Sequence, residues 1–330
     1  MKIQKRLTGL FLFICLIGCV LTGCGSSAKT SAPATIHIGC MKGPTAIGMV
    51  HLLSSSDAGT ALNKYQPTIA GTADEISAGL INGTLDIAAV PCNLASVLYN
   101  KTNGEIVTAA INTLGVLYIV EAGDSVQAVN DLKGKTIYST GQGTTPEYTL
   151  RYLLTSAGLD PDKDVTIEYK SEAAEVVTSL SQNPQALAML PQPYVTVACT
   201  SNPEVRIALD ITAEWEALND STVVTGVIVA RKAFIDQNKK AFQNFLQEYE
   251  TSTAYANEHV EETAQLLEQY DIFKAAIAQK AIPYCNVTCI TGTEMQEKML
   301  AYLQILFDQK PESIGGKLPE EGMFYLESTN

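Results

Sequence analysis

Histidine and basic residues are scarce in this sequence. Its 330 residues include three His, and 22 Lys or Arg stand against 35 Asp or Glu, which gives a formal net charge of −13 at pH 7. An acidic chain without a cluster of Lys or Arg is not expected to bind nucleic acid. A metal site needs several ligands close together, and no histidine lies within the close cysteine pair Cys285 and Cys289, so we expect no metal.

Motifs of enzymes are missing as well. The segment "KGKT" ends like a phosphate-binding loop, but the Walker pattern requires a glycine at the position of Val129. The sequence has no G-x-S-x-G nucleophile motif. Cys92 is the best candidate nucleophile, yet no histidine is evidently near it to act as a base. We therefore expect neither enzymatic activity nor a cofactor.

An apolar run stands at the N-terminus, where "MKIQKR" precedes "LTGLFLFICLIGCVLTG". Basic residues before an apolar stretch of this length predict a signal peptide over residues 1–23 rather than a transmembrane helix. The run ends in "LTGC", which resembles the lipobox of bacterial lipoproteins, so Cys24 is the expected lipid attachment site. Residues 24–34 would form a flexible tether, and the acyl chains would hold the protein at the extracytoplasmic face of the cell membrane. Ordinary secretion with cleavage nearby is the alternative.

Once the signal segment and the lipidated Cys24 are set aside, the remaining cysteines are odd in number, which leaves at least one thiol unpaired within the chain. An exported protein could oxidise some of them, and "CNVTC" could close a small loop. Buried or half-buried free thiols are the better interpretation for most of them, because free cysteine behaves as a small apolar residue. The residues concerned are Cys40, Cys92, Cys199, Cys285 and Cys289.

One stretch of the sequence is repeated, in similar form, one hundred positions later. "ADEISAGLINGTLDIAAVP" begins at residue 73 and aligns without a gap to "AAEVVTSLSQNPQALAMLP" at residue 173. Each copy is an amphipathic run, followed by a short apolar run that stops at a proline. Upstream, "ATIHIGCMKGPTAIGMVHLL" matches "GKTIYSTGQGTTPEYTLRYLL" at an offset of 101. The repeated unit is therefore a whole β-α-β-α-β lobe, which predicts two similar lobes with mostly parallel sheets flanked by helices.

The segments between the repeats predict how the lobes are joined. Residues 105–124 are too apolar for a surface loop and read as strands that cross from the first lobe to the second, and residues 221–234 offer a return crossing. We therefore expect residues 35–115 plus 226–330 to form lobe 1 and residues 116–225 to form lobe 2. The later helices should cover lobe 1, the last of them capped by Thr293. Trp215 should pack against lobe 2 rather than serve as a stacking platform for a ligand.

Ligands of open parallel sheets bind beyond the carboxyl ends of the strands. Four polar loops that follow strands would therefore face a common cleft, and the helices after two of them would present free backbone N–H groups. Further residues of the crossing strands could form the cleft floor. The predicted ligand-binding residues are Lys42, Gly43, Pro44, Thr45, Cys92, Asn93, Asn112, Thr113, Thr140, Gly141, Gln142, Gly143, Thr144, Gln192, Tyr194, Thr225 and Gly226.

These features together resemble a known family. The lipobox, the Ser/Ala tether, the two lobes, "NGTLDIAAVP" and "DLKGKTI" are similar to the solute-binding lipoproteins of ABC importers, in particular those that bind nitrate, sulfonates, taurine or thiamine pyrimidine precursors. The resemblance implies a type II periplasmic-binding-protein fold with a two-strand hinge, and an ABC permease as partner. The chain departs from many relatives at Gln192, where they carry an acidic residue before proline.

The predicted function is that of a monomeric, lipid-anchored receptor that clamps a small molecule between two lobes and delivers it to a permease. The cleft loops contain neither an arginine nor a pair of carboxylates, which favours a neutral organic ligand, such as a nitrogen heterocycle. A sulfonate or nitrate held by backbone N–H groups is the alternative ligand. A lipid-anchored sensor that binds a ligand without transporting it is the alternative function.

Overall fold

The computed structural model describes residues 33–326, and this part of the chain forms two β-sheets flanked by helices. The expected signal peptide and Cys24 lie outside the described residues. Within 33–326, no helix combines the length and the apolar character that a membrane span requires.

The first sheet has three parallel strands followed by antiparallel pairings. Its strands are β1 (Thr35–Met41), β2 (Lys64–Ala70), β3 (Ile87–Pro91), β4 (Ile106–Thr113), β10 (Gly226–Arg231) and β11 (Val287–Ile290). Strands β1, β2 and β3 are parallel to one another, and β10 runs antiparallel to both of its neighbours, β3 and β4. The spatial order is β11-β4-β10-β3-β1-β2.

The second sheet repeats this arrangement with five strands. They are β5 (Leu117–Ala122), β6 (Thr136–Ser139), β7 (Thr166–Tyr169), β8 (Leu187–Pro191) and β9 (Val205–Asp210). Their spatial order is β7-β6-β8-β5-β9. Strand β6 is parallel to β7 and β8, whereas β5 is antiparallel to β8 and β9. The predicted two-lobed α/β fold is thereby confirmed.

The repeat extends to the register of the strands. Gly226 of the returning strand lies opposite Pro91 at the end of β3, and Leu117 of the outgoing strand lies opposite Pro191 at the end of β8. Each lobe therefore receives its antiparallel strand from the crossing segment at the equivalent position. The two crossings also pair with each other, since the Thr225 N–H donates to the carbonyl oxygen of Thr113 at 3.0 Å. The lobes are consequently joined by two adjacent backbone segments.

Helices cover both faces of the sheets, and several of them begin where the sequence indicates. The helix after β2 begins at Ala73 behind Thr72 and ends at Gly83, whose φ of 81° is left-handed. The described helices are α1 (Pro44–Ile47), α2 (Val50–Asp57), α3 (Ala73–Asn82), α4 (Cys92–Lys101), α5 (Thr145–Ser156), α6 (Ala173–Gln182), α7 (Tyr194–Ser201), α8 (Ile211–Glu216), α9 (Lys232–Gln237), α10 (Lys239–Glu258), α11 (Val260–Gln269), α12 (Ala275–Ala281) and α13 (Gly292–Gln309).

Two details of the last helix differ from expectation. Its N-terminal flanking residue is Thr291 rather than Thr293, because the chain enters the helix at Gly292 with a positive φ. The helix also packs against both lobes, contacting β4 of the first sheet and α5 of the second lobe, where the sequence had placed it on lobe 1. The hydroxyl groups of Tyr302 on α13 and Thr149 on α5 form a hydrogen bond of 2.8 Å in the buried contact.

The five cysteines of the described range carry free thiols, as expected. Cys40, Cys92 and Cys285 are buried, and burial raises the pKa of the Cys40 thiol to about 12. A thiol with so high a pKa carries almost no thiolate at neutral pH and is unreactive. Burial raises the pKa of the Cys92 thiol in the same way.

Glu121, at the far end of β5 from the hinge, is a buried carboxylate whose replacement should destabilise lobe 2. Burial alone would raise its pKa, but hydrogen bonds from Ser125 and Val126 and the charge of Arg206 hold the pKa below its ordinary value of 4.5. A lowered folded-state pKa adds stability above the unfolded pKa, and this is lost as the pH falls through the folded value. We expect Glu121→Gln to lower the free energy of unfolding by about 2 kcal/mol at pH 7.

Urea denaturation at a series of pH values measures this effect. The difference between the wild type and Glu121→Gln should shrink as the pH falls below about 4.5. Glu294→Gln is a matched control, because the Glu294 pair with Lys298 is exposed and such pairs contribute less than about 0.5 kcal/mol. If Glu121→Gln lowered the free energy of unfolding equally at pH 7 and at pH 3, this would contradict the electrostatic account and indicate a packing defect.

Candidate functional site

A cleft opens between the two sheets, beyond the carboxyl ends of their parallel strands. It has a volume of about 490 Å³, and loops of both lobes line it. This is the position that the sequence indicates for a ligand. The lining residues are Met41, Lys42, Gly43, Pro44, Thr45, Gly71, Thr72, Ala73, Asp74, Pro91, Leu117, Thr140, Gly141, Gln142, Thr144, Pro146, Tyr169, Lys170, Ser171, Glu172, Ala173, Pro191, Tyr194 and Thr225.

The loop after β1 supplies the floor of the cleft from lobe 1. Proline at position 44 has a fixed φ suited to a first helical turn, so α1 begins directly behind Gly43. Thr45 is only 3% exposed, and its hydroxyl has no hydrogen-bond partner within the described residues. The Asn112 side chain holds this loop from behind by donating to the Thr45 carbonyl oxygen at 3.2 Å. The Thr45 hydroxyl is therefore a buried polar group without a partner on a residue that lines the cleft.

The equivalent loop of lobe 2, Thr140–Thr144, is shaped by two glycines. Gly141 and Gly143 have φ values of +72° and +75°, a left-handed conformation that other residues rarely adopt. The Thr144 hydroxyl donates to the carbonyl oxygen of Gly141 at 2.7 Å and closes the turn. The Glu147 carboxylate accepts from the Gly143 N–H at 2.6 Å. The loop is consequently ordered by its own contacts before any ligand binds.

Two further loops, which are absent from the sequence-based prediction, also line the cleft. They follow β2 and β7, and they comprise Gly71–Asp74 in lobe 1 and Tyr169–Ala173 in lobe 2. The four predicted loops follow the first and third strands of each lobe, whereas these two follow the second strand. The signal was present, because β2 and β7 are parallel to β1 and β6 and their ends reach the same edge.

The two missed loops approach each other across the mouth of the cleft. A Cβ atom added to Gly71 of lobe 1 would overlap the Oε1 atom of Glu172 in lobe 2. The carboxylate therefore lies directly against the glycine, and the absence of a side chain at position 71 permits this approach. The structure consequently has the lobes in contact at the mouth.

Seven of the predicted residues lie outside the cleft lining. Cys92, Asn112, Thr113 and Gly226 are buried behind it, where a Cβ atom on Gly226 would lie 2.5 Å from the Asn112 Oδ1 atom. Gln192 is buried, and its side-chain oxygen accepts from the Thr196 hydroxyl at 2.8 Å. The two remaining residues are Asn93 and Gly143. Their positions make them supports of the cleft loops, and direct ligand contact by them remains a prediction.

Asn93 connects the two lobes. This fully buried side chain on α4 donates to the carbonyl oxygens of Gly143 at 3.2 Å and Ser313 at 2.8 Å, and it accepts from the Thr145 hydroxyl at 3.3 Å. It thus ties the ligand loop of lobe 2 to lobe 1 and to the C-terminal segment. We expect Asn93→Ala to lower the free energy of unfolding by about 1–2 kcal/mol, because two buried polar groups and the part-buried Gly143 carbonyl lose their partner.

Chemical denaturation followed by tryptophan fluorescence measures this loss. Asn82→Ala is the control, because Asn82 is exposed and bonds only within its own turn, to Thr84. Equal stability of Asn93→Ala and Asn82→Ala would show that the contacts of Asn93 do not contribute to holding the lobes together.

The two lysines of the cleft lining have partners of their own. The Lys42 ammonium lies 3.4 Å from Asp271 in lobe 1, and the Lys170 ammonium lies 3.3 Å from Glu168 and 5.0 Å from the centre of the Tyr138 ring. Tyr194 lines the cleft with its ring edge against Phe273, at a centroid distance of 5.1 Å. Burial raises the pKa of the Tyr194 phenol, so it stays a neutral hydrogen-bonding group.

Trp215 takes no part in the cleft lining. It is fully buried between Tyr152 of α5 and Tyr302 of α13, at centroid distances of 4.7 and 5.1 Å. Its packing role, predicted from the sequence, is confirmed. Among the described residues no group of three or more His, Cys, Asp or Glu side chains is arranged to hold a metal ion.

Comparisons with known proteins identify a family and a shared fold. A family model of the phosphonate-type periplasmic substrate-binding proteins of ABC transporters matches residues 63–281. Among curated proteins, none matches the sequence.

Solved structures share the fold at low sequence identity. An ABC transporter protein from Parabacteroides distasonis superposes with a TM-score of 0.72 at 23% identity, over 89% of this chain and 99% of that one. The periplasmic aliphatic sulphonate binding protein of Escherichia coli gives 0.70 at 18% identity, over 89% and 92%. The periplasmic nitrate-binding protein of Synechocystis gives 0.58 at 16% identity, over 72% and 66%.

Proposed function

The chain belongs to the phosphonate-type periplasmic substrate-binding proteins of ABC transporters, and we propose that it captures a small organic solute in the cleft and delivers it to its permease. Members of this family bind substrates for transporters, outside the cytoplasm, and are not enzymes. The observation that carries the proposal is the 490 Å³ cleft, lined by equivalent loops of the two lobes.

The cleft geometry supports a clamp mechanism. A solute that contacts Thr45 on one side and the loop at Gln142 on the other bridges the lobes and stabilises their closed arrangement. The two adjacent crossing segments at Thr113 and Thr225 form the hinge that absorbs the closing motion. The closed form then presents a surface formed by both lobes to the permease.

Lipid anchoring at Cys24 is part of the proposal. An acylated cysteine followed by a tether over residues 24–34 would keep the lobes close to a membrane-embedded permease. Metabolic labelling with an alkyne-bearing palmitate analogue tests this. The wild type should take up the label and Cys24→Ser should not, whereas label in both proteins, or in neither, would contradict the anchor at this residue.

The solute that we propose is a small, neutral or nitrogen-containing organic molecule. The support comes from the cleft, in which neutral hydroxyl groups form the floor and both lysines have carboxylate partners. A sulfonate-, nitrate- or phosphonate-type anion is the second candidate, which the description of the family and the names of the sulphonate- and nitrate-binding structures favour.

Permease activation is the decisive experiment for the function. Membrane vesicles that contain the cognate permease should hydrolyse ATP faster when this protein is added together with the solute extracted from native preparations. Thr45→Val removes a cleft hydroxyl while keeping the side-chain shape, so it should weaken the stimulation at low solute concentration. Solute binding without any stimulation of ATP hydrolysis would instead favour a lipid-anchored sensor.

A further inference from the structure

The glutamate that bonds to the ligand loop of lobe 2 lies behind the cleft lining. We infer that Glu147 is a positioning residue of the solute site, which holds the backbone at Gly143 in the conformation that receives the solute before the lobes close. The inference rests on the proposed function, since it assumes that the loop Thr140–Thr144 receives a solute. It assigns a role in solute capture to a residue that does not line the cleft.

Both oxygens of the Glu147 carboxylate have a partner. Oε2 accepts from the Gly143 N–H at 2.6 Å, and Oε1 accepts from Nε of Arg151 at 2.8 Å. Glu147 is only 8% exposed, so water competes little for these bonds. Hydrogen bonds to a charged group are stronger than bonds between neutral groups. The carboxylate therefore fixes the peptide unit that joins Gln142, a residue of the cleft lining, to Gly143.

This peptide unit stands between two glycines, which makes it costly to hold in one conformation. Gly141 and Gly143 both have a left-handed φ, and glycine loses more conformational freedom on folding than any other residue. The N–H and the hydroxyl of Thr144 close the turn on the carbonyl oxygen of Gly141, at 2.9 and 2.7 Å. The N–H between the two glycines is held instead by Glu147.

A second contact on Gly143 comes from the opposite lobe. The Asn93 amide donates to the Gly143 carbonyl oxygen at 3.2 Å, and Asn93 belongs to α4 of lobe 1. That bond depends on the lobes being together, whereas Glu147 and Gly143 both belong to lobe 2. Glu147 therefore holds the loop in the open protein as well. An incoming solute meets a loop that is already formed, which avoids the free-energy cost of ordering it on binding.

Arg151 holds Glu147 in place from behind. Its Nη1 also donates to Oδ1 of Asp162 at 2.9 Å, so the guanidinium connects α5 with the turn before β7. A guanidinium offers several donors in a fixed plane, which a lysine does not reproduce. Tyr169, at the end of β7, lines the cleft beside this pair: burial raises the pKa of its phenol, and the charge of Glu147 raises it further. The network thus reaches the cleft at Gln142 and at Tyr169.

Association kinetics distinguish a positioning residue from one that contacts the solute. Substitution of a contact residue acts mainly on the dissociation rate. A loosened loop instead lowers the fraction of free protein that is competent to bind. We expect Glu147→Leu to slow association about 10-fold and to change the dissociation rate less than about twofold, because Asn93 and the solute hold the loop in the complex.

Stopped-flow fluorescence measures these rates on the full-length protein in detergent. The probe is the solute released by denaturing the protein purified from its native cells, and Trp215, which packs against Tyr152 of α5, is the reporter. Glu294→Leu is the matched control, because Glu294 is also a first-turn glutamate paired with a basic residue one turn on, Lys298, and lies outside the cleft lining. It should leave both rates unchanged.

The Gly143 amide reports on the loop without any solute. Gln-Gly occurs once in the sequence, at positions 142–143, so glutamine labelled with ¹³C and glycine labelled with ¹⁵N isolate this one amide by NMR. We expect its hydrogen exchange to be at least about 10-fold faster in Glu147→Leu than in the wild type, since the N–H loses a buried, charged acceptor. Arg151→Lys should shift the exchange in the same direction by a smaller factor, and Glu294→Leu should not shift it.

The outcomes separate this inference from the proposed function. Equal association rates in the wild type and Glu147→Leu, or equal exchange of the Gly143 amide, would overturn the inference and leave solute binding standing. A loss confined to the dissociation rate would overturn it too, since it would indicate direct contact with the solute. If Glu147→Leu does not fold, Arg151→Lys decides by the same two measurements. A wild type that binds no solute would count against the proposed function, while the amide exchange would still decide whether Glu147 holds the loop.

Discussion

Trp215→Ala should unfold with a free energy about 3–5 kcal/mol lower than that of the wild type, the cost usual for truncating a large buried aromatic side chain. Trp215 is fully buried, and its ring packs against Tyr152 and Tyr302. The indole N–H also donates to the Ser221 hydroxyl at 3.2 Å, so truncation removes the partner of that hydroxyl. A cavity in such a cluster cannot close without moving α13.

The position of this cluster explains the size of the effect. Tyr302 belongs to α13, which contacts β4 of the first sheet as well as α5 of the second lobe. Truncation of the Trp215 side chain therefore weakens the contact between α13 and lobe 2. We expect the variant to lose cooperativity as well, with lobe 2 unfolding at a lower denaturant concentration than lobe 1.

Circular dichroism follows this unfolding, because the variant has no tryptophan left to report by fluorescence. Leu218→Ala is the matched control, since Leu218 lies just after α8, the helix that carries Trp215, and its side chain is 53% exposed. The free energy of unfolding of Leu218→Ala should be lower than that of the wild type by less than about 0.5 kcal/mol. A Trp215→Ala protein as stable as Leu218→Ala would show that the aromatic cluster does not bind α13 to lobe 2.

The strands of this fold were readable from the sequence because their signal is local. Short apolar runs that end at Pro91 and Pro191 mark β3 and β8, and the offset between the copies gives their equivalent places in two sheets. The antiparallel partners of these strands were less evident. Their register depends on pairing between residues such as Gly226 and Pro91, which are far apart in the chain.

The candidate site was predicted in part. The loops after β1 and β6 were found because glycine and proline follow an apolar strand directly, as in Gly43-Pro44. The loops after β2 and β7 are outside the prediction because these two strands are more exposed than β3 and β8 and lack the continuous apolar run of a strand buried on both faces. Asp74 and Glu172, which line the cleft, are consequently outside the prediction.

Side chains with distant partners could not be assigned from the sequence. Asn93 reads as a cleft residue because it follows a strand, yet it bonds to Ser313, which lies 220 positions away. Lys42 reads as a free cation, yet it pairs with Asp271 across 229 positions. Such pairings depend on where the C-terminal helices pack, and no pattern near either residue indicates that position.

Gly71→Trp should weaken solute binding about 100-fold and leave the stability of the unliganded protein within about 0.5 kcal/mol of the wild type. The backbone of Gly71 is not in the left-handed region, so a larger residue fits the chain itself without strain. The obstacle is Glu172 of the opposite lobe, whose carboxylate occupies the space of the new side chain. Overpacking of this kind costs about 1–3 kcal/mol, and here it falls on the closed form alone.

A graded series distinguishes blocked closure from a general defect. In Gly71→Ala the end of the Glu172 side chain is flexible enough to move aside, so the loss of affinity should be less than about threefold. In Gly71→Trp combined with Glu172→Ala the space is restored, and closure should recover in part even though the carboxylate is lost. Calorimetry with the solute extracted from the native protein measures affinity, and small-angle X-ray scattering measures whether the lobes close. A Gly71→Trp protein that binds and compacts like the wild type would mean that the mouth contact is incidental to closure, and that the hinge and the Asn93 bonds alone determine the closed state.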